Sequence, residues 1–315
     1  MTKFDFIMDT CCNMPRLEGD IMEVVNISKK RFDSLEPFVL PKYVTSTECE
    51  LFNFRYRGKD MLLKRLFRND DLSFANKLYT LQALSINSAH IPDNFITAEF
   101  LISINKQIEA FVMPLVKGVT LSLILSDFNF TLSEKKYYLK LVGQVLEQMR
   151  NIRKYTDLND FYLGDLHEDN IIVDLFKKKI YIADLDSCKI AGNRSFPARY
   201  LTSGGLLSNA NGKYKKIVDK NGVFLNYEVD YNTDLYCYCI MILNFLYGEK
   251  INSLDIDEFY NYLNYLDYLK INSQLLEVFN KIVLNCDNLS PLDYIDTLTS
   301  EQILRARKKV YMCNK

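Results

Sequence analysis

A run of apolar residues from Leu235 to Leu246 constrains the fold of this chain most strongly. At helical spacing its apolar side chains point in almost every direction, which is typical of a helix buried on all sides. The run is too short to cross a bilayer, because a membrane-spanning helix needs about 20 apolar residues. Other helices must therefore surround it, and the sequence predicts a helical region built around this segment.

The composition fits a soluble globular protein with room for two domains or two lobes. The chain has 315 residues, and roughly 150 residues per domain is the usual expectation. Apolar residues make up 48% and charged residues 25%, which excludes disordered, collagen-like and membrane-spanning classes. The 39 basic and 40 acidic residues nearly cancel, so no overall field attracts nucleic acid or an anionic membrane. We therefore expect no nucleic-acid partner and no membrane insertion.

The cysteines are too few for a dense disulfide scaffold and lack the spacing of a structural zinc site. The closest pairs, Cys11-Cys12 and Cys237-x-Cys239, are not C-x-x-C motifs, and the chain has only two histidines. The amino terminus carries acidic residues where a signal peptide has an apolar core. We therefore expect a reduced, cytoplasmic protein.

The first part of the chain changes from an extension to a β-rich region. Residues 1–38 show no clean period and are interpreted as an N-terminal extension. Strand-like runs then surround a turn at Gly58, and helical spacing over 73–88 separates them from two further strand-like runs. This order predicts a small antiparallel β-rich lobe with one main helix over residues 39–115.

The remaining residues, 116–315, are predicted to form a larger and mostly helical lobe. Ser133 is the expected N-cap of a long helix whose apolar positions continue to Ile152. A β-hairpin pattern over 170–184 interrupts the helices, and the polar segment 187–230 shows no periodic element. The predicted fold class is therefore α+β, with a β-rich lobe followed by a helical lobe.

The densest polar cluster of the chain, Gly164-Asp-Leu-His-Glu-Asp-Asn170, lies between the long helix and the hairpin. The far end of that hairpin carries Asp184-Leu-Asp186. Phosphoryl transfer from a nucleotide requires a carboxylate that orients the attacking hydroxyl and oxygen ligands for Mg²⁺. The cluster and the hairpin supply both kinds of group. The alternative interpretation is that these polar side chains are turn residues that hydrogen-bond to their own backbone.

These motifs resemble the catalytic loop and the metal-binding motif of the protein kinase-like superfamily, over about residues 40–310. The resemblance implies a two-lobed fold that binds ATP and Mg²⁺ between its lobes. Asp165 would orient the substrate hydroxyl, and Asn170 and Asp184 would bind both nucleotide and metal. Lys64, on the third predicted strand, would pair with the nucleotide phosphates and belong to the catalytic residues.

The end of the β-rich region resembles the hinge between the two lobes of a kinase. The adenine of ATP would face the backbone there, at Met113, Pro114, Leu115 and Val116. The buried helix described above resembles the central helix of a kinase, where an aspartate accepts hydrogen bonds from the catalytic-loop backbone. That role would fall to Asp234, unless it only caps its own helix.

Several residues depart from the usual kinase pattern. His167 stands where kinases carry a lysine, as in small-molecule phosphotransferases, and would contact the γ-phosphate or be a structural loop residue. Asp186 replaces the glycine of the metal-binding motif and would add a metal ligand or form a turn. No glutamate occurs between Lys64 and Glu99, and Lys77 falls near the position of the lysine's usual partner. Either another acidic group pairs with Lys64, or nucleotide binding is weakened.

The resemblance implies an ATP- and Mg²⁺-dependent phosphotransferase, in first place a kinase that acts on protein Ser or Thr hydroxyls. The expected nucleotide-covering loop, 44–50, has no glycine, which together with the missing glutamate favours a pseudokinase that binds or scaffolds a partner. A small-molecule kinase of the aminoglycoside or choline type is the third possibility. A protein substrate or partner is expected. Residues 187–230 would form the activation segment and substrate platform, which carries Ser195, Tyr200, Thr202, Ser203 and Tyr214.

Overall fold

A five-stranded sheet, a three-stranded sheet and a β-hairpin contain the strands of this computed structural model, and helices lie between and after them. The structure describes residues 22–40, 49–66, 71–193, 215–219, 222–226, 229–249, 251, 256–281 and 289–313. The mixed content confirms the predicted α+β class. No helix in these ranges is long and apolar enough to cross a bilayer.

The larger sheet contains β1 (Val24–Asn26), β2 (Cys49–Tyr56), β3 (Lys59–Leu66), β4 (Phe100–Ile104) and β5 (Gln107–Pro114). Its order is β1-β4-β5-β3-β2, and only the β1–β4 pair is parallel. The β2–β3 turn has positive φ at Arg57 (48°) and Gly58 (79°). Two consecutive residues with positive φ are typical of a tight two-residue hairpin, which explains the predicted turn at this glycine.

The amino-terminal segment contributes an edge to this sheet. Ile27 continues the pairing of β1, because its N–H donates to the Ser103 carbonyl at 3.0 Å. The short helix α1 (Lys29–Asp33) then places the Phe32 ring 5.6 Å from that of Phe52. A three-residue strand is too short to produce a period in the sequence, so it was not predicted within the extension 1–38. The proposed boundaries at 38 and 115 remain predictions.

Helix α2 (Asp71–Ile86) packs on one face of the sheet, close to the predicted range 73–88. Its Leu78 and Leu81 belong to the apolar cluster that covers this face, whereas Leu63 belongs to the cluster on the opposite face. Because side chains alternate along a strand, Lys64 of β3 points to the α2 side. The strand and the helix therefore place a lysine in the interior of the protein.

A second, three-stranded sheet follows. It consists of β6 (Val119–Thr120), β7 (Ile171–Asp174) and β8 (Lys179–Ile182), in the order β6-β7-β8. The β7–β8 pair is antiparallel, which confirms the predicted hairpin over 170–184.

Helices α3 (Leu121–Ser126) and α4 (Leu132–Tyr155) separate β6 from this hairpin. The prediction that Ser133 caps α4 is wrong by two residues. Thr131 is the N-cap, because its hydroxyl accepts from the Glu134 N–H at 3.2 Å and the Glu134 carboxylate accepts from the Thr131 N–H at 2.8 Å. This reciprocal capping box satisfies two backbone N–H groups, whereas Ser133 as the N-cap could satisfy only one.

The carboxyl-terminal helices are α5 (Tyr231–Tyr247), α6 (Ile256–Tyr268), α7 (Ser273–Lys281), α8 (Leu292–Asp296) and α9 (Ser300–Cys313). Every residue of α5 from Tyr231 to Leu246 is buried, which confirms the buried helix predicted from the apolar run. Gly143 of α4 allows a close approach, since a Cβ atom there would lie 2.8 Å from the Tyr238 hydroxyl. The apolar core of the helical region is centred on α4 and α5.

The segment 187–230 contains a β-hairpin that the sequence did not predict. Its strands are β9 (Lys215–Asp219) and β10 (Gly222–Asn226), paired antiparallel. Each strand is five residues long, and their apolar residues are adjacent rather than alternating. The period-two signal of a half-buried strand is therefore absent.

Candidate active site

Lys64 lies at the centre of the candidate site. Lys64 is a residue of β3, and its side chain is buried against the turn that follows β8. Its Nζ atom lies 3.0 Å from Asp186 Oδ1 and also donates to Asp184 Oδ1. These residues are more than a hundred positions apart in the chain, so only the fold brings them together. The structure thus answers one question left by the sequence: another acidic group does pair with Lys64.

The turn after β8 holds its shape through an unusual backbone conformation. Asp184 has φ 61° and ψ 47°, in the left-handed region, and precedes the 3-10 turn Leu185–Ser187. A non-glycine residue adopts this conformation at a cost of roughly 1–2 kcal/mol. Neighbouring contacts hold it, since the Ala183 N–H donates to the Asn170 carbonyl at 2.8 Å. The hydrogen bond joins the end of the hairpin to the polar cluster at its start.

Helix α2 contributes a positively charged side chain near the position where the kinase pattern has a carboxylate. Lys77 is buried, and its Nζ atom lies 3.5 Å from Asp186 Oδ2. Its position agrees with the expectation that Lys77 falls near the usual partner position of the strand lysine. Asp186 therefore has an ammonium group next to each of its two oxygens: Oδ1 accepts a hydrogen bond from Lys64 of β3, and Oδ2 faces Lys77 of α2.

The two carboxylates of this turn differ in exposure and in pKa. The Asp184 side chain is 40% exposed, whereas that of Asp186 is fully buried. Burial raises the pKa of Asp184 to about 6, with Lys64 opposing the rise and the Asp186 carboxylate adding to it. Burial also opposes ionisation of Asp186, but Lys64 and Lys77 together hold its pKa below the ordinary value. Asp186 is therefore the permanent anion, and Asp184 is the accessible one.

The polar cluster before β7 forms a compact loop. The Asn170 side-chain NH₂ group donates to the Asp165 carbonyl at 3.1 Å. The side-chain oxygen of Asn170 is the atom that could bind a metal ion. The Asp169 N–H donates to His167 Nδ1 at 3.3 Å. The proton of the neutral imidazole is therefore on Nε2, and this atom lies 3.7 Å from Asp165 Oδ2. The loop thus gathers Asp165, His167 and Asn170.

Asp234 of α5 anchors this loop. Its two carboxylate oxygens accept from the Leu163 and Gly164 N–H groups, each at 2.8 Å. Burial raises the pKa of Asp234 to about 6, although both hydrogen bonds favour the ionised form. The predicted hydrogen bonds from the backbone of this polar loop to Asp234 are present. The alternative, a cap for its own helix, is wrong, because Asp230 is the N-cap of α5.

The predicted hinge residues span the end of β5, whose last two residues are Met113 and Pro114. Met113 is buried and paired with Leu62 of β3, while Pro114 is exposed and Leu115 and Val116 are half-buried.

The chain then passes close to β7. A Cβ atom on Gly118 would lie 2.4 Å from the Val173 carbonyl oxygen. Only glycine fits at this position without a shift of the backbone.

A small cavity connects the lysine with the hinge. It is bordered by α2, β5 and the turn after β8, through residues that include Lys64, Leu84, Ile96, Phe111, Met113 and Asp184. Lys64, Met113 and Asp184 were predicted from three separate motifs. The structure places all three on one cavity, and the hydrogen bond between Asn170 and Ala183 connects it to the Asp165 loop.

The oxygen atoms that the site offers suit magnesium. Asp184 and Asn170 present oxygen atoms, which Mg²⁺ prefers, and the Asp184 carboxylate is the accessible one of its turn. Among the described residues, no group of three or more His, Cys, Asp or Glu side chains is placed to hold a metal ion. A site here would therefore combine few protein ligands with phosphate oxygens and water. The predictions that Asn170, Asp184 and Asp186 bind metal stay predictions.

Some predicted elements lie outside the described residues. They include most of the nucleotide-covering loop, 44–50, and the hydroxyl-bearing residues of the activation segment, 195–214. The cysteines at 188, 237 and 239 are buried free thiols whose pKa values burial raises. A raised pKa keeps these three thiols protonated, which makes them poor nucleophiles.

Comparison with models of known protein families and with curated proteins finds no match to this chain. The interpretation of the site therefore depends on its residues and their geometry.

Proposed function

We propose that the protein is a two-lobed, kinase-like phosphotransferase that uses ATP and Mg²⁺ and acts on Ser or Thr hydroxyls of a protein. One observation carries the proposal: the buried Lys64 pairs with Asp184 on a cavity that also reaches Met113 at the end of β5. A cation for phosphates, a carboxylate for a metal and a strand end for an adenine are the parts that nucleotide binding requires.

The charges of the cavity suit a nucleotide with its metal. Lys64 would pair with the phosphates, while Asp184 and Asn170 would hold Mg²⁺. When bound, Mg²⁺ would neutralise charge that develops on the transferred phosphoryl group. The half-exposed position of Asp184 supports this role, because a metal can reach its carboxylate without displacing the fully buried Asp186.

Asp165 would orient the acceptor hydroxyl. The hydrogen bonds from Leu163 and Gly164 to Asp234 fix the backbone before it, and the Asn170 amide fixes the backbone after it. Such positioning is the main protein contribution to phosphoryl transfer. His167 presents its Nε2 proton toward the Asp165 carboxylate, which favours a role in holding that carboxylate over one at the γ-phosphate.

The proposal is tested by intact mass after incubation with ATP, Mg²⁺ and a panel of unstructured Ser/Thr peptides. Wild type is expected to add phosphate to itself or to a peptide, and Asp165→Asn is expected to add none. Asp93→Asn is the matched control, because the Asp93 side chain is exposed and pairs with Lys179 at the surface. Equal transfer by wild type and Asp165→Asn would rule out the assigned role of Asp165.

A pseudokinase is the second candidate, and the Lys64 cluster favours it. Lys64 already has two carboxylate partners without a nucleotide, so the cluster is complete as a structural unit. A shift of the unfolding temperature by ATP with Mg²⁺, without phosphate transfer, would support this candidate over the enzyme. Transfer only to soluble amino sugars or alcohols would instead support the small-molecule kinase. Absence of both transfer and nucleotide binding would contradict all three nucleotide-based functions.

A further inference from the structure

Asp186 holds two lysines that come from different elements. Its Oδ1 atom lies 3.0 Å from Lys64 Nζ of β3, and its Oδ2 atom lies 3.5 Å from Lys77 Nζ of α2. The Asp186 side chain is fully buried, and those of the two lysines are 7% and 11% exposed. An ammonium group in such surroundings needs an anion nearby, because burial of an unpaired charge is strongly unfavourable.

The four ionised groups of this cluster balance. Lys64 and Lys77 carry two positive charges, and Asp184 and Asp186 carry two negative charges. Asp186 lies within ion-pair distance of both lysines, one at each of its oxygens. Its removal would take a buried anion away from both ammonium groups.

The surroundings of Asp186 are unsuited to a metal ion. Each of its oxygens faces an ammonium group, which repels a divalent cation, and the side chain is closed to solvent. Both carboxylates border the cavity and contact Lys64, but Asp184, two residues earlier, is 40% exposed. The two carboxylates of the Asp-Leu-Asp turn therefore differ in exposure and in contact with Lys77, which is made by Asp186.

Two further contacts join α2 to the same segment. The Tyr79 hydroxyl donates to the Ala191 carbonyl at 2.6 Å, and the Asn193 amide donates to the Thr80 hydroxyl. Lys77, Tyr79 and Thr80 thus each connect α2 to residues 186–193 through a polar contact.

We propose that Asp186 is a positioning residue and not a metal ligand. It holds Lys64 of β3 and, through Lys77, helix α2 in one buried ion cluster, and so leaves Asp184 available to a metal. In the kinase pattern, the helix supplies the acid that holds the strand lysine. Here the helix supplies a second lysine, and the turn after β8 supplies the acid. The part concerning metal rests on the proposed function, whereas the ion cluster itself does not.

A double-mutant cycle tests the cluster without any assumption about activity. Asp186→Asn, Lys77→Met and the double variant are unfolded in denaturant beside wild type. Each single variant changes the charge of the buried cluster by one unit, in opposite directions, and the double variant returns it to the wild-type value. If the two substitutions acted independently, the product of their single effects would give the unfolding equilibrium constant of the double variant. We expect the double variant to be at least about tenfold more stable than this product predicts.

The surface pair formed by Lys140 and Asp296 is the matched control. Its N–O distance is shorter, 2.8 Å, but its side chains are 39% and 45% exposed. The same substitutions there, Lys140→Met and Asp296→Asn, should couple by less than about fivefold. Coupling at Lys77 and Asp186 no larger than at this control would overturn the proposal. Should Asp186→Asn fail to fold, the neutral double variant is expected to fold, and its failure would equally overturn the proposal.

Metal and nucleotide titrations separate the two roles of the turn. For Asp186→Asn, we expect at least a tenfold loss of ATP affinity, with the Mg²⁺ concentration for half-maximal effect unchanged. For Asp184→Asn, we expect that Mg²⁺ concentration to rise. A matching rise in Asp186→Asn would overturn the proposal in favour of a metal ligand. If wild type binds no ATP, the proposed function fails, and the double-mutant cycle alone decides whether Asp186 holds the two lysines.

Discussion

Helices α2 and α5 are both buried along most of their length, but they bury different groups. Helix α5 is apolar through its middle, and its buried polar residues lie near its ends, at 232–234 and 244. Helix α2 buries polar side chains along its middle, namely Asn76, Lys77, Thr80 and Gln82.

This difference indicates two ways of holding a functional group. The core around α5 fixes Asp234, whose carboxylate holds the loop that carries Asp165. By contrast, α2 reaches Asp186 through a lysine and Ala191 through a hydroxyl. The position of Asp165 therefore depends on apolar packing, whereas that of Lys64 depends on polar contacts, which charge or hydrogen-bond changes can break singly.

Truncation within α5 should have the largest effect. Leu243 is completely buried in the core of the helical region, so Leu243→Ala should lower the free energy of unfolding by about 2–5 kcal/mol. Leu304→Ala on α9 is the control, because its side chain is 53% exposed, and its effect should be within about 0.5 kcal/mol. Denaturant unfolding followed by circular dichroism measures both. Similar effects of the two variants would contradict the role of α5 as the rigid core.

The Asp234 carboxylate should make stability depend on pH. Its pKa rises from 3.8 in the unfolded chain to about 6 in the folded protein. The folded state therefore binds the proton more tightly, so this group favours folding below about pH 4 and loses that contribution as the pH rises through 6. Between about pH 4 and 7, Asp234→Asn should gain about 3 kcal/mol of stability relative to wild type.

Urea unfolding over this pH range measures that change as a difference between the two proteins. The corresponding difference for Leu304→Ala, which removes no titratable group, should stay flat. A flat difference for Asp234→Asn as well would show that its carboxylate titrates normally in the folded state.

Asp184 should show the same sign of pH dependence with a smaller size. Its pKa is raised to about 6 as well, but the side chain is 40% exposed, so water screens the effect to roughly 1–2 kcal/mol. Saturating Mg²⁺ with ATP should abolish the Asp184 contribution, because a bound cation favours the ionised carboxylate. It should leave the Asp234 contribution unchanged. Unfolding of wild type and Asp184→Asn with and without the nucleotide tests this, and loss of both contributions would contradict separate roles.

The weakest effect should come from a single polar contact of α2. The Tyr79 hydroxyl donates to the Ala191 carbonyl at 2.6 Å, and burial raises its pKa to about 12, so it remains a donor. Tyr79→Phe should cost about 1 kcal/mol of stability. Tyr137→Phe removes a more exposed bond to the Lys178 carbonyl at 3.3 Å and should cost less. Thermal unfolding compares the two, and equal effects would show that the α2 contact is no stronger than a surface bond.

The sequence predicted the elements that have strong local signals. The apolar run of α5, the turn at Gly58 and the hairpin over 170–184 each have a period or a turn residue that determines structure locally. The strand β1 and the hairpin of β9 and β10 lack such a signal, because their strands are short or their apolar residues are adjacent. The N-cap of α4 depended on the reciprocal bond of Thr131 and Glu134, which apolar spacing alone does not reveal.

For the site, the order of motifs identified Lys64, Asp165, Asn170 and Asp184, and the structure places Lys64 and Asp184 in contact. The role of Asp186 as anion for two lysines was beyond reach of the sequence. It depends on the depth at which α2 packs against the turn after β8, and many side chains determine that depth. The absence of a helix glutamate was visible, but its replacement by an anion 122 residues from Lys64 in the chain was not.

The parallel pairing of β1 with β4 also has a consequence for self-association. A shortened protein that begins at Phe38 would expose the N–H and C=O groups of β4 along a sheet edge, together with the apolar side chains that Ile27 and Phe32 cover. Such an edge is a template for a strand from another molecule. Size-exclusion chromatography should then show dimers or larger species that the full chain does not form, because three residues of backbone keep that edge closed.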